Sequence, residues 1–134
     1  MVTTHAYSQI IQPRFYETDA QGHINNVTIA GWFEVTRMGW MASLGAEHVV
    51  GPRNWILASV QIDYLAETFF GSEVELKVPE SSVGNSSLTV QGEMWQNATQ
   101  TMRGKAVLVH MDPETKQTQR IPEELRELIR SHGA

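Results

Sequence analysis

A short polar segment between residues 17 and 26 contains the groups best suited to chemistry. Asp19 supplies a carboxylate, Gly22 marks a turn, and a helix is expected to start at about Asn26. The first N–H groups of a helix lack partners within it, and its N-terminus carries a partial positive charge that attracts anions. A carboxylate beside such a site suits acyl transfer, in which a base or nucleophile attacks a carbonyl and nearby donors stabilise the oxyanion.

The helix that would supply those N–H groups is predicted over residues 27–45. Asn25 or Asn26 is suited to cap its start, and Gly45 is suited to end it. The apolar residues that recur at helical spacing along it are Ile29, Phe33, Met41 and Leu44.

Four residues of this predicted helix carry expectations about its neighbours. Gly31 and Gly39 each lower the helix propensity by about 1 kcal/mol relative to alanine. We therefore expect other backbone to pack closely against both, as it would if a sheet wrapped around the helix. Trp32 and Trp40 are expected to lie outside the main apolar stripe and to serve an interface.

Most of the remaining chain is predicted to form strands with short breaks, which implies antiparallel neighbours. Pro13 is expected at an edge or bulge, residues 84–87 suit a hairpin turn, and a terminal helix is expected to begin at Pro122. This order predicts an α+β fold in which one sheet face packs on the long helix. An uncovered strand edge or outer helix face would favour dimerisation. The predicted strands span residues 5–16, 55–67, 73–83, 87–97 and 101–112, and the terminal helix spans 122–133.

Length and composition restrict the class of protein. The chain has 134 residues, of which 41% are hydrophobic, so one domain over residues 1–134 with a substantial core is expected. The net charge of -5 and the lack of a basic run argue against nucleic-acid binding. There is no cysteine, and no apolar stretch approaches the roughly 20 residues of a membrane span. We expect a cytoplasmic protein that binds no membrane.

The motif ETDAQGHINN at residues 17–26, followed by FEVTR at residues 33–37, resembles the sequence pattern of hotdog-fold acyl-CoA thioesterases in the 4-hydroxybenzoyl-CoA thioesterase-like family. The order of predicted elements is also similar to that family over the rest of the chain. The resemblance implies an antiparallel sheet wrapped around one long central helix, and an enzyme that needs no cofactor.

The resemblance also implies roles for individual residues. Asp19 matches the catalytic carboxylate, acting as a general base on water or as a nucleophile through an acyl-enzyme anhydride. The backbone N–H of Asn26 matches the oxyanion donor, and Gly22 lets the chain approach the substrate closely. Some relatives have histidine at the position of Asn26, and many have tyrosine at that of Ile29, which predicts a more apolar pocket here.

Structural interpretations compete with several of these roles. An aspartate before a glycine turn is often only a turn former, although the complete motif favours catalysis for Asp19. We expect His23 to hold the loop in place behind the reacting groups rather than to react. Glu34 and Arg37 are expected to pair with each other or with a partner subunit, with Glu34 as a secondary candidate for the base. The other histidines lack metal-ligand spacing, so no metal site is predicted; they are His5, His48, His110 and His132.

Substrate contacts are predicted at polar residues outside the motif. Ser59 and Gln61 lie on the strand expected beside the helix and are candidates to line the pocket. The candidates for contact with coenzyme A phosphates or pantetheine are Ser86, Ser87, Arg53 and Arg103.

The leading hypothesis is an acyl-CoA thioesterase that releases free acid and CoA and works as a homodimer or homotetramer. The alternatives are a thioesterase acting on acyl-carrier protein in a fatty-acid or polyketide pathway, a hydratase, and a non-catalytic acyl-binding module. The sequence does not reveal the length or aromaticity of the acyl group.

Overall fold

The computed structural model describes residues 2–45 and 51–131. They form strands and helices in the order β–α–β–β–β–β–α, which confirms the predicted α+β class. The elements are β1 Val2–Ile11, α1 Asn26–Ser43, β2 Trp55–Tyr64, β3 Val74–Val83, β4 Ser87–Gln96, β5 Thr99–His110 and α2 Glu123–Ser131, with short 3₁₀ turns at Phe15–Glu17 and Pro52–Asn54.

The strands form one antiparallel sheet in the order β1-β3-β4-β5-β2. β3 and β4 occupy its middle, where buried and partly buried residues alternate, as expected of strands with one face in the core. β1 and β2 are the two edges, and each pairs with a single neighbour among the described strands. The predicted turn at residues 84–87 is confirmed, since the Gly84 N–H donates to the Ser87 carbonyl at 2.8 Å.

α1 lies on the central strands through Phe33. This ring is 1% exposed and lies in a buried cluster with Leu76 and Met94. Gly92 of β4 and Gly104 of β5 face the ring so closely that an added Cβ at either position would overlap it. Gly39 is closely packed, but against the side chains of Tyr7 and Gln9 on β1 rather than against backbone, so the predicted backbone contact is wrong there. The same prediction for Gly31 is wrong, because that residue is exposed with open space where a Cβ would stand. The glycines that allow α1 and the sheet to approach closely are Gly92 and Gly104, which lie on the sheet.

The tryptophans of α1 are buried, so the prediction that they serve an interface is wrong. Trp32 is 4% exposed and Trp40 is 1% exposed. The apolar side of α1 is wider than the main stripe because two clusters cover it, one formed with the sheet and one formed with both the sheet and α2. Leu125 and Ile129 of α2 join Trp40 in the second cluster, so the short terminal helix closes the end of the core.

β1 ends earlier than the sequence predicted. It stops at Ile11, whereas the expected strand continued to residue 16. Pro13 lacks an N–H for ladder pairing, and the chain turns into the 3₁₀ segment Phe15–Glu17. The Arg14 N–H donates to the Glu17 carboxylate at 2.7 Å, which secures this turn. The predicted edge irregularity lies elsewhere in β1, where the register shifts between Thr4 and Tyr7.

Candidate active site

Asp19 lies in a tight turn that its own side chain stabilises. Its Oδ1 accepts hydrogen bonds from the N–H groups of Gln21 at 2.8 Å and His23 at 3.2 Å. Its N–H donates to the His23 carbonyl at 2.7 Å, and the Gly22 N–H donates to the Asp19 carbonyl at 3.1 Å. Gly22 has φ +84°, a conformation that glycine adopts without strain. The second oxygen, Oδ2, has no partner among the residues that the structure describes, so one oxygen fixes the side chain and the other is free.

The start of α1 presents an N–H group without a partner. Asn25 caps the helix, because its Oδ1 accepts from the Val27 N–H at 2.7 Å and its carbonyl accepts from the Ile29 N–H at 3.1 Å. The Asn26 N–H is bonded to no acceptor within the described ranges 2–45 and 51–131. An unpartnered N–H at a helix N-terminus is the feature predicted for an oxyanion donor.

Glu17 joins the turn to the helix, a role that the sequence analysis missed. This carboxylate is 8% exposed. Its Oε1 accepts from the Arg14 N–H at 2.7 Å and its Oε2 from the Trp32 indole Nε1–H at 3.2 Å. Its carbonyl accepts from the Asn25 N–H at 2.8 Å. A glutamate three residues after the start of a turn can accept from the first backbone N–H, as Glu17 does from Arg14, and this spacing was the available signal.

A cavity of about 410 Å³ brings Asp19 and Asn26 together. Its far wall is the segment that follows β2. The Ile24 N–H donates a hydrogen bond to the Thr68 carbonyl of this segment at 2.7 Å. The Tyr64 hydroxyl donates to the Asn26 carbonyl at 3.2 Å. The cavity is lined by Asp19, His23, Ile24, Asn26, Ile29, Tyr64, Ala66, Glu67, Thr68 and Thr101.

His23 connects the Asp19 turn to that far wall. Its Nε2 lies 3.1 Å from the Glu67 carboxylate, and its ring packs edge-on against Phe69 with centroids 5.2 Å apart. Its backbone forms a bridge with Phe69 as well as the bonds to Asp19. These contacts fit a residue that supports the loop, and that role for His23 stays a prediction.

Comparisons with known proteins assign the chain to a family. A family model described as the thioesterase-like superfamily matches residues 13–129. The chain belongs to this superfamily. The assignment confirms the hotdog thioesterase family predicted from the motif, and with it a thioester hydrolase of the hotdog fold.

Three relatives of this thioesterase show the extent of the similarity. The uncharacterized protein YsmA of Bacillus subtilis (strain 168) is 32% identical over 115 residues, covering 84% of this chain and 78% of its own. A predicted thioesterase from Bacillus stearothermophilus is 29% identical with a TM-score of 0.82, covering 96% and 97% of the two chains. A thioesterase from Thermus thermophilus, complexed with coenzyme A and Zn, is 25% identical with a TM-score of 0.83, covering 98% and 97%.

Several residues predicted to contact the substrate of this thioesterase lie outside the Asp19 cavity. Gln61 and Arg103 line a separate recess of about 220 Å³, where Arg103 pairs with Asp63 at 3.3 Å. Ser59 is exposed on β2, and Arg53 is exposed in the 3₁₀ turn before that strand. Their contacts with substrate stay predictions.

Ser86 and Ser87 lie toward the other end of the sheet. Ser87 pairs with Val109 near the end of β5, whereas Thr101 of the cavity lies near its start. The eight residue steps from Thr101 to Val109 span about 26 Å in a strand. The Ser86 carbonyl accepts from the His110 N–H at 2.8 Å, so this turn is bound to the sheet. Within one chain, the structure does not bring these serines to Asp19.

The predicted pair on α1 takes a different form. Arg37 is 8% exposed and stacks over Phe33, its guanidinium carbon 4.7 Å from the ring centroid. Burial lowers the pKa of Arg37, and the charge of Glu34 opposes that shift. Glu34 is exposed and lies outside the lining of the Asp19 cavity. Glu34 is therefore not placed to act as the base in this cavity.

Within the described ranges there is no group of three or more His, Asp or Glu side chains placed to hold a metal ion. His110 is buried, with its Nδ1 3.2 Å from the Gln119 carbonyl and its ring against Trp55. His48 and His132 lie outside the described residues. No helix of the described part of the chain is long and apolar enough to cross a membrane.

Proposed function

We propose that this chain hydrolyses acyl-CoA thioesters to free acid and CoA, with Asp19 and the Asn26 N–H as the reacting machinery. The observation that carries the proposal is the shared cavity, whose lining includes both Asp19 and Asn26. Within the described residues, one oxygen of the Asp19 carboxylate and the Asn26 N–H at the start of α1 have no hydrogen-bond partner. A thioester carbonyl placed between them would have an attacking group on one side and an oxyanion donor on the other. The coenzyme A complex of the similar Thermus thermophilus thioesterase supports acyl-CoA as the substrate class.

The two oxygens of Asp19 have different roles in this proposal. Oδ1 keeps the turn in place through its two backbone bonds, and Oδ2 acts on the substrate. In one route, Oδ2 takes a proton from the attacking water, the C–S bond breaks, and the CoA thiolate leaves and takes up that proton. In the other, Oδ2 attacks the carbonyl carbon and expels the CoA thiolate, and water then hydrolyses the resulting anhydride, which releases the acid, restores the Asp19 carboxylate and supplies the proton for the thiolate. In both routes the negative charge that develops on the carbonyl oxygen is stabilised by the Asn26 N–H and the partial positive charge of the α1 N-terminus.

The test compares two aspartates that make the same kind of turn. Asp112 Oδ1 accepts from the N–H groups of Glu114 at 2.8 Å and Thr115 at 3.0 Å, and it lies outside the cavity lining. Asparagine keeps an oxygen for such a turn but is neither a base nor a nucleophile of comparable strength. Asp19→Asn should therefore lower turnover about 100-fold or more, the usual scale of positioned acid–base groups.

Asp112→Asn is the matched control and should leave turnover unchanged. Release of free thiol is measured with short, long and aromatic acyl-CoA substrates, and with one accepted acyl group on carrier protein. Full activity of a folded Asp19→Asn enzyme would contradict the mechanism. If only the carrier-bound thioester is hydrolysed, the substrate is acyl-carrier protein and not acyl-CoA.

We further propose that two copies pair along the free edge of β2, next to the cavity. That edge carries exposed apolar side chains, and unpaired strand edges favour association. Val60→Lys on β2 should convert a two-chain particle to single chains in light scattering, whereas Val35→Lys on the exposed side of α1 should not. The reverse result would assign pairing to the helix face. The exposed apolar residues of β2 are Ile56, Leu57, Val60 and Tyr64.

A further inference from the structure

The cavity beside Asp19 is acidic. Two carboxylates, Asp19 and Glu67, belong to its lining, and no lysine or arginine is found among the described residues that line it. Resting on the function proposed above, we propose that the site selects acyl groups without negative charge. Glu67 is the specificity-determining residue that rejects acyl groups ending in a carboxylate.

A contact with His23 links Glu67 to the Asp19 turn at the cavity wall. Its Oε2 lies 3.1 Å from His23 Nε2, and the imidazole in turn rests against the edge of the Phe69 ring. Glu67 is thus tied to a second residue of the cavity lining, although its side chain is 60% exposed.

The acyl end of the substrate is the part that meets this wall. The nucleotide end of coenzyme A carries phosphates, which favour lysine, arginine or other cations, and neither lysine nor arginine is present where the described residues line the cavity. The volume of about 410 Å³ lies near the lower end of small-ligand sites. It suits a thioester and its acyl chain better than a whole acyl-CoA. Ile24 and Ile29 supply a buried apolar surface for that chain.

A second negative charge in this space would face two carboxylates, and no lysine or arginine of the described lining would pair with it. Rejection through an unpaired like charge is a recognised route to specificity, because it raises the free energy of the wrong complex and leaves the right one unaffected. Glu67 is partly solvated, so its effect should be moderate: about tenfold, as expected for like charges near a protein surface.

The experiment measures kcat/KM at about pH 8 for three substrates of matched length: hexanoyl-CoA, adipoyl-CoA and the methyl ester of adipoyl-CoA. Adipoyl-CoA and its ester differ in charge with little change in size. The wild type should hydrolyse adipoyl-CoA at least about tenfold less efficiently than the ester, and Glu67→Gln should raise the acid-to-ester ratio about tenfold. Because the ratio is taken within one protein, a change in the active fraction cancels.

Glu73→Gln is the control, since Glu73 is an exposed carboxylate that lines a different recess. It should leave the ratio unchanged, and added salt should weaken the discrimination of the wild type. Equal efficiency on the acid and the ester would overturn the inference. A ratio that Glu67→Gln leaves unchanged would overturn the role of Glu67.

Binding separates this inference from the hydrolytic function. S-hexyl-CoA and its terminally carboxylated counterpart are thioethers that cannot be hydrolysed, and calorimetry gives their affinities for the wild type, Glu67→Gln and Glu73→Gln. Preference for the uncharged ligand that Glu67→Gln reduces about tenfold would support the inference even if no thioester were cleaved, in which case only the proposed reaction would fail. Equal affinities would overturn the inference even in an active thioesterase.

Discussion

Glu17 is the buried carboxylate between the Asp19 turn and α1, and replacing it with glutamine tests how firmly the two are joined. The Glu17 side chain accepts from two donors, the Arg14 N–H on Oε1 and the Trp32 Nε1–H on Oε2. Glutamine has nearly the same shape but only one acceptor oxygen. In Glu17→Gln, one buried donor must therefore face the NH₂ group.

The expected cost of Glu17→Gln follows from that mismatch. One hydrogen bond is lost, its donor is left unsatisfied, and the remaining bond loses its charged acceptor. Together these effects should lower the free energy of unfolding by about 2–3 kcal/mol. Trp32→Phe removes the indole donor, so the glutamine oxygen can then face Arg14 and the NH₂ group meets no second donor. In that background Glu17→Gln should cost only about 1 kcal/mol.

The assay is urea unfolding of the wild type, both single variants and the double variant at one protein concentration, because association would make stability depend on concentration. The double-mutant cycle cancels the cavity that Trp32→Phe creates, since both arms contain it. A coupling free energy of about 1–2 kcal/mol is expected. Additivity within about 0.5 kcal/mol would refute the assignment of Glu17 as the acceptor that joins the turn to Trp32.

Two further predictions concern the core and the pH dependence of stability. Gly104→Ala should lower the free energy of unfolding by about 1–3 kcal/mol because its Cβ overlaps the Phe33 ring, and Phe33→Leu should reduce that cost in a double variant; an unchanged cost would contradict the packing. The backbone N–H groups of Thr115 and Glu114 lower the pKa of Asp112 below its ordinary 3.8. Its charged form therefore adds stability that is fully present above pH 3.8 and lost as the pH falls through the lowered pKa. The stability difference between the wild type and Asp112→Asn should shrink over that acid range in urea titrations, and a constant difference would contradict the shift.

The parts of the structure that sequence predicted well are governed by neighbours in the chain. The cap at Asn25, the left-handed Gly45 after α1 and the turn at residues 84–87 each depend on residues within a few positions. The same is true of the Asp19 turn, whose hydrogen bonds stay within residues 19–23. Local chemistry therefore indicated both the helix and the position of the candidate carboxylate.

The predictions that failed concern contacts between elements that are far apart in the sequence. The burial of Trp40 depends on α2, more than eighty residues further along the chain, and no periodicity within α1 reports that contact. The position of Gly31 in open space and the tight packing at Gly92 and Gly104 depend on which side of the helix the sheet covers. Glu67 entered the candidate site only because the segment after β2 folds back against His23. Such contacts require the tertiary structure.

The hydrogen bond from Tyr64 to the Asn26 carbonyl ties the last residue of an edge strand to the first residue of α1. A molecule that docks on the β2 edge and shifts Tyr64 would thus alter the hydrogen bond that the Tyr64 hydroxyl makes at the start of α1. Thermodynamic reciprocity then fixes the reverse effect: whatever factor docking applies to the affinity for a ligand at Asn26, that ligand applies to the affinity for docking. If the docked molecule is a second subunit, the effect of association on substrate affinity and the effect of substrate on association would then be described by the same coupling constant.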